Sequence, residues 1–348
     1  MDEARLMDFV HKAVGDVGSV LAGSMVVIGD RLGLYRAMAG AGPLTAAELA
    51  TETGTTERYV REWLGAQAAA GYVTYAGDGR FELPDEHAIP LTDESSAACV
   101  IGAFETAIGA AQATDRIADA FITGEGVFWG DHDGHVHTGC ERFFRPGYIN
   151  YLTQSWIPAL DGVEDQLRQG IRVADVGCGH GASTIHLAQS FPSSTFVGFD
   201  PHQASIDAAR KKAADAGVAD RVSFHEATAT SFEGTFDLVA FFDCLHDLGD
   251  PVGALANVRD RLVEGGTVLI VEPAASDEVE DNLNPVGAAY YGFSTLLCTP
   301  NSLSQEVGAA LGAQAGEARL RDVAERAGFT RVRRVAETPF NMVLEARV

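Results

Sequence analysis

The residues Val173-Ala-Asp-Val-Gly-Cys-Gly-His-Gly181 run an apolar strand into an acid and then into three alternating glycines. Glycines at this spacing let a chain turn sharply after a strand and bring its backbone against a ligand, where a side chain would clash or forbid the dihedrals. Gly177, Gly179 and Ala182 also satisfy the permissive G-x-G-x-x-G/A spelling of a dinucleotide site, which alone carries little weight. Asp175 tips the balance, because a carboxylate two residues before the first glycine repels a pyrophosphate and welcomes a cation. Asp200, followed by Pro201, ends the next apolar run 25 residues after Asp175. There its two oxygens can accept from both hydroxyls of a ribose.

A second group of residues has the types needed for proton transfer. Asp243-Cys-Leu-His-Asp-Leu-Gly-Asp250 follows the fourth apolar strand. That places His246 at the carboxyl edge of a sheet, where open α/β folds bind ligands. An imidazole there can take a proton from a hydroxyl, with Asp247 or another acid fixing its tautomer; the plainer role is a tether for the helix beginning at Pro251. Glu272, at the end of the fifth strand, is the second candidate base or a substrate-orienting group. Phe242 and Asp243 are expected to border the reactive end of the ligand, and Tyr148, Tyr290 and Tyr291 to wall a substrate pocket or to belong to the core. Glu226-Ala-Thr-Ala229 follows the third strand, so Thr228 and Ala229 are the candidates for reading a purine. His132, His135, His137 and Cys140 match no familiar zinc spacing and sit among Gly and Asp, so no metal is expected.

These groups need a scaffold, and 348 residues suffice for more than one core. A formal charge of -24 opposes phosphate-rich partners. Five scattered cysteines suggest no disulfide framework. The opening Met1-Asp-Glu carries no basic leader, and the Gly-rich apolar run Val17 to Ile28 reads as a packed helix rather than a span, so a cytoplasmic protein is expected. The small residues of that run would let a second subunit or another part of the chain approach closely.

Three regions are expected. Residues 1–92 read as a winged helix: Thr45 and Glu48 make a capping box, Thr53 to Glu57 a turn with a second cap, Tyr59 to Ala68 a second helix, and residues 71–83 a hairpin. Its second helix offsets Arg58 and Arg61 with Glu57 and Glu62, which speaks for architecture over DNA readout. Residues 93–170 read as a helical connector and active-site cover, with one long helix from Ala97 to Phe121 and aromatics at Phe128, Trp129, Phe143, Phe144 and Tyr148. Residues 171–348 alternate strand and helix and close on a strand pair, Thr330 to Glu337 with Asn341 to Arg347, predicting a doubly wound, Rossmann-like sheet of seven strands.

The D-x-G-x-G-x-G run resembles the first motif of class I methyltransferases, and His246-Asp247 is similar to the catalytic pair of plant-type O-methyltransferases. Phe143-Phe-Arg-Pro-Gly-Tyr148, Cys244-Leu-His-Asp-Leu-Gly-Asp-Pro251, Asp281-Asn-Leu-Asn-Pro-Val286, Leu311-Gly-Ala-Gln-Ala-Gly-Glu317 and Thr338-Pro-Phe-Asn341 extend the resemblance over nearly the whole chain. They resemble an actinobacterial family of class I methyltransferases with an N-terminal winged helix. The resemblance implies S-adenosyl-L-methionine as cofactor, held by Asp175, Gly177, Gly179, Gly181, Asp200, Pro201, Thr228, Ala229, Phe242 and Asp243. It also implies a homodimer and a small-molecule acceptor, methylated at oxygen or alternatively at nitrogen or carbon. Thr228 departs from the family, which carries an acid there. The competing readings are a regulator whose winged helix binds DNA and a repurposed fold that binds the cofactor without transferring methyl.

Overall fold

The computed structural model describes residues 1–348. The chain divides into two compact units, Met1–Ile108 with Thr138–Pro146, and Gly109–His137 with Gly147–Val348. The expected connector is therefore shared between the two.

The first unit opens on a helix, Glu3–Arg31, capped by Asp2 through the amides of Ala4 and Arg5. The apolar run seen in the sequence is thus the second half of a 29-residue helix, long and apolar enough by length and composition to cross a membrane. Its C-terminal part is core: Gly29 lies where a Cβ would meet Trp63 and Tyr35 at 2.6 and 2.7 Å, and the Trp63 indole donates to the Met25 carbonyl at 2.8 Å. The capping box forms at Thr45 and Glu48, starting the helix Ala46–Thr53. The second cap does not: Thr56 precedes the helix Glu57–Ala69 without bonding its amides, while the hydroxyls of Thr53 and Thr55 pair with each other. Three short strands, β1 (Leu44–Thr45), β2 (Thr74–Gly77) and β3 (Arg80–Glu82), form a sheet in the order β1-β3-β2, the wing. On the second helix Arg58 pairs with Glu62 and Arg61 with Glu57, each at 2.5 Å.

In the second unit the sheet has seven strands: β4 (Arg172–Val176), β5 (Thr195–Asp200), β6 (Val222–Glu226), β7 (Phe236–Phe242), β8 (Leu262–Pro273), β9 (Arg331–Glu337) and β10 (Asn341–Arg347). Their order is β6-β5-β4-β7-β8-β10-β9; the first five are parallel, and β10 runs antiparallel to β8 and β9. The order reverses between β4 and β5 on one side and β7 on the other, which opens the crevice at their carboxyl ends where such folds take ligands. Val239, Phe241, Val268, Ile270 and Leu344 are wholly buried in this unit's core. β8 begins at Leu262, earlier than the Thr267 read from the sequence, where Leu262 pairs with Phe236.

The single helix expected from Ala97 to Phe121 is two, Ile101–Ala111 and Thr114–Thr123. The break is chemical: the Thr114 hydroxyl donates to the Ala111 carbonyl at 2.6 Å, satisfying a helix-end acceptor that the next turn would otherwise have used.

Candidate active site

β4 passes directly into the glycine turn. The amides of Gly177 and Cys178 both donate to the Phe199 carbonyl of β5, at 2.8 and 3.1 Å, fastening the turn to its neighbour. Gly177, Gly179 and Gly181 all have positive φ, at 75°, 50° and 78°. At Gly181 a Cβ would also meet the Phe224 ring at 2.6 Å, so this glycine is required by both backbone and packing. At Gly179, which is half-buried, nothing lies within 4 Å of that position, leaving free space a ligand can fill.

Asp175, the penultimate residue of β4, lies at the strand's end as expected but is enclosed there. It is 1% exposed, and its Oδ2 accepts from the hydroxyls of Ser183 and Thr184, both at 2.6 Å. The sequence reading missed these two hydroxyls; they lie in the first turn of the helix Ala182–Ser190, and their side-by-side placement after the third glycine was the available signal. Oδ1 has no partner. Burial raises the carboxyl's pKa to about 6, against the lowering effect of the two hydroxyls.

Asp200 ends β5 and is 7% exposed. Its Oδ2 accepts from the Gly179 amide at 3.0 Å and its Oδ1 from the His202 amide at 2.9 Å, so one carboxylate clamps the glycine turn while each oxygen keeps accepting capacity. Burial raises its pKa, and the two amides oppose that rise. Pro201 is exposed just beyond it. Thr228 is exposed on the loop after β6, and its hydroxyl is engaged with Ser231 at 2.7 Å and Thr230 at 3.2 Å, while Ala229 is buried beneath. A purine contact at Thr228 would compete with that local turn.

At the end of β7, Phe242 is buried with the Tyr148 ring edge-on to it at 5.3 Å between centroids. Asp243 adopts a left-handed φ of 51°, rare for a residue with a side chain and a recurrent feature of functional sites. Its Oδ1 accepts from the Asn341 amide at 2.7 Å, and its Oδ2 has no partner. Burial and the neighbouring Glu272 push its pKa well up.

His246 is 4% exposed and Glu272 1%. Nδ1 of the imidazole bonds Oε2 of Glu272, whose other oxygen accepts from the Leu245 amide at 2.9 Å. Burial depresses the His246 pKa, but Glu272 and the sulfur of Cys298 outweigh it and hold it well above the ordinary value. The orienting acid is therefore Glu272 and not Asp247. The Asp247 carbonyl is occupied by the side chains of Asn301 and Gln305 at 3.2 and 3.3 Å, and burial raises its carboxyl pKa to about 7. Tyr290 is buried and its hydroxyl donates to the Phe340 carbonyl at 2.8 Å, so it ties the segment before β10 and offers no free hydroxyl; Tyr291 is 36% exposed on the same helix. Of the histidines that the sequence offers as metal-ligand types, His135 bonds Asp133, while His132 and His137 pack against Trp129 at 6.4 and 5.4 Å; no group of three or more is placed to hold a metal ion.

Asp175, Asp200, Asp243, Asp247 and Glu272 thus gather about the carboxyl ends of β4, β5, β7 and β8, and buried oxygens on Asp175 and Asp243 lack partners. This acceptor-rich setting, whose buried carboxyls ionise most readily beside a positive charge, fits a nucleoside ligand bearing ammonium and sulfonium charges and disfavours a pyrophosphate.

Comparison with known proteins agrees with this geometry. Residues 167–327 match the family model described as a methyltransferase domain, and residues 21–93 match that of the Rv2258c-like winged HTH domain. The chain is 31% identical over 112 residues to trans-aconitate 2-methyltransferase of Deinococcus radiodurans, covering 32% of this chain and 42% of that protein. It is 36% identical over 107 residues to the aklanonic acid methyltransferase DauC of a Streptomyces species, covering 30% and 49%. The chain spans less than two thirds of the length of these relatives. Among solved structures, human N-acetylserotonin methyltransferase with bound S-adenosylmethionine superposes with a TM-score of 0.71 at 16% identity, covering 100% of this chain and 98% of that one. Mitomycin 7-O-methyltransferase MmcR gives 0.69 at 19% identity, covering 99% and 100%. These likenesses show the fold. The chain thus pairs a segment matching an Rv2258c-like winged HTH domain with a segment matching a methyltransferase domain, on the fold of those solved methyltransferases.

Proposed function

We propose that this protein moves a methyl group from S-adenosyl-L-methionine to the oxygen of a small, fairly apolar molecule, with His246 taking the acceptor's proton. The observation that carries the reading is the buried His246–Glu272 pair at the ends of β7 and β8, one strand from the glycine turn and its Asp200 clamp. The cofactor supplies an electrophilic methyl on a positively charged sulfur. When bound, the cofactor would be held by Asp200 at its ribose and by the amides of the glycine turn at its methionine part, and Asp175 and Asp243 would supply acceptors facing its positive charge. Glu272, accepting from Nδ1, leaves Nε2 of His246 as the proton acceptor. Phe242 and Tyr148 give the acceptor an apolar wall. Aligning acceptor, methyl and sulfur in such a site is worth roughly 7 to 11 kcal/mol, and a positioned base adds about 10²–10⁴ in rate.

The same reading includes a cytoplasmic homodimer. On the helix Glu3–Arg31, Leu6, Val10, Val14, Val17 and Leu21 are exposed and recur at three- and four-residue spacing. Such a stripe fits a second copy of the same helix.

The test is incubation of a small-molecule library with isotopically labelled S-adenosyl-L-methionine, product being read by mass spectrometry for wild type and His246→Ala. Labelled product from wild type, reduced at least a hundredfold in the variant with adenosylhomocysteine affinity kept, supports the proposal. Equal turnover in the variant removes His246 from its role, and transfer to no compound alongside tight cofactor binding favours a repurposed fold.

A further inference from the structure

The imidazole of His246 has two faces, and the proposed chemistry uses only one partner. Its Nδ1 belongs to Glu272; its Nε2, the atom that would receive the acceptor's proton, lies 3.3 Å from Sγ of Cys298. Cys298 comes from a distant part of the chain, the last residue of the π-helical turn Ser294–Cys298. A π-turn carries an extra residue per turn, is rare, and recurs at functional sites because it redirects a side chain that a regular helix would aim elsewhere. This turn is anchored next to the base it faces: the Ser294 hydroxyl accepts from the Ala313 amide at 3.1 Å, and the adjacent Gly312 amide donates to the His246 carbonyl at 3.1 Å. Gly312 has a φ of 74°, and a Cβ there would meet the Ser294 hydroxyl at 2.5 Å, so the strap admits no larger residue. The sulfur is therefore held against Nε2 by the fold.

We propose that Cys298 is a positioning residue for the base: its thiol bonds Nε2 of His246, keeps the ring in the tautomer protonated at Nδ1, and marks the point at which the acceptor's hydroxyl docks. With Glu272 accepting from Nδ1–H, the Nε2 lone pair faces the S–H, which donates to it. An acceptor hydroxyl approaching the same lone pair replaces a weak sulfur donor by a stronger oxygen donor, so the exchange favours the substrate. No bond is made to sulfur and no redox step is involved. This inference rests on His246 being the base.

The experiment uses the full-length protein with ¹⁵N-labelled histidine, in wild type, Cys298→Ala and Cys298→Ser. Nitrogen chemical shifts of His246, assigned by comparison with His246→Ala, are followed through a pH titration without substrate. Wild type is expected to show protonated Nδ1 and a hydrogen-bonded Nε2. In Cys298→Ala the Nε2 signal should move to that of a free lone pair, and Cys298→Ser should recover the hydrogen-bonded signal. With any acceptor found by the labelled-methyl screen, kcat/KM should fall in Cys298→Ala and be restored in Cys298→Ser. Unchanged nitrogen shifts in Cys298→Ala overturn the inference, whatever the catalytic result. Shifts that behave as expected while His246→Ala retains full turnover show instead that the base assignment was wrong.

Discussion

Replacing Glu272 by glutamine probes the His246 assembly with the least change in shape. The carboxylate now accepts two donors, Nδ1–H of His246 and the Leu245 amide at 2.9 Å, one on each oxygen. Glutamine has a single acceptor oxygen, so one buried donor loses its partner, at a cost of about 1–3 kcal/mol in stability. The negative charge beside the imidazolium is lost as well. A hydrogen bond to a charged group contributes about 1.5–3 kcal/mol, which at 1.36 kcal/mol per unit lowers the His246 pKa by roughly one to two units. His246 has its pKa raised on folding, so its contribution to stability is complete below its unfolded pKa of about 6.5 and disappears as pH climbs through the folded value. The melting deficit of Glu272→Gln is thus expected to be larger at pH 6 than at pH 9. In steady-state assays of adenosylhomocysteine formation, kcat should fall by about a hundredfold, and the acid limb of kcat/KM should shift to lower pH. Adenosylhomocysteine affinity by calorimetry should stay within about threefold, well under 1 kcal/mol. A variant with wild-type kcat and an unmoved acid limb would refute the role given to this pair.

Glycine substitutions in the turn should separate folding from binding. Gly181→Ala, with both a left-handed φ and the Phe224 ring against it, should destabilise the protein by several degrees in a melting experiment, whereas Gly179→Ala, which meets no neighbour and carries only a left-handed backbone strain of about 1–2 kcal/mol, should melt closer to wild type and lose adenosylhomocysteine affinity at least tenfold. Asp175 has a pKa raised to about 6, so calorimetry should show adenosylhomocysteine binding weakening as pH falls from 7 to 5, with Asp175→Asn removing most of that dependence. The sign for the free protein is opposite: a carboxyl whose folded pKa is raised is most stabilising when protonated, and that contribution is lost as pH rises through about 6. Aspartates placed together at Val14 and Val17, both exposed, should convert a dimer to a monomer in light scattering and remove the concentration dependence of the melting temperature.

Much of this architecture was readable because local chemistry and tertiary context agree. The apolar runs 173–176, 195–199 and 236–241 are strands because parallel strands are buried on both faces, and Thr45 with Glu48 spells its own cap. Asp200 was legible because a strand end and an acid at the right distance coincide. What failed to show depended on long-range contact or on a single side-chain bond. Glu272 is 26 residues from His246, and only the adjacency of β7 and β8 brings the pair together; the neighbouring Asp247 looked the better partner in the sequence but turns toward Asn301. Cys298 reaches the imidazole through a π-turn that no periodicity signals. The helix expected from Ala97 to Phe121 reads as continuous because Thr114 is an ordinary helix residue until its hydroxyl takes the Ala111 carbonyl.

The central claim is that a pocket edged by carboxylates selects a positively charged sulfonium nucleoside over phosphate-bearing ones. Calorimetry of the purified protein with S-adenosyl-L-methionine and with NAD, at the same pH and salt, measures this directly. The account predicts saturable binding of the first and no heat with the second; tight association with NAD and none with S-adenosyl-L-methionine would contradict it.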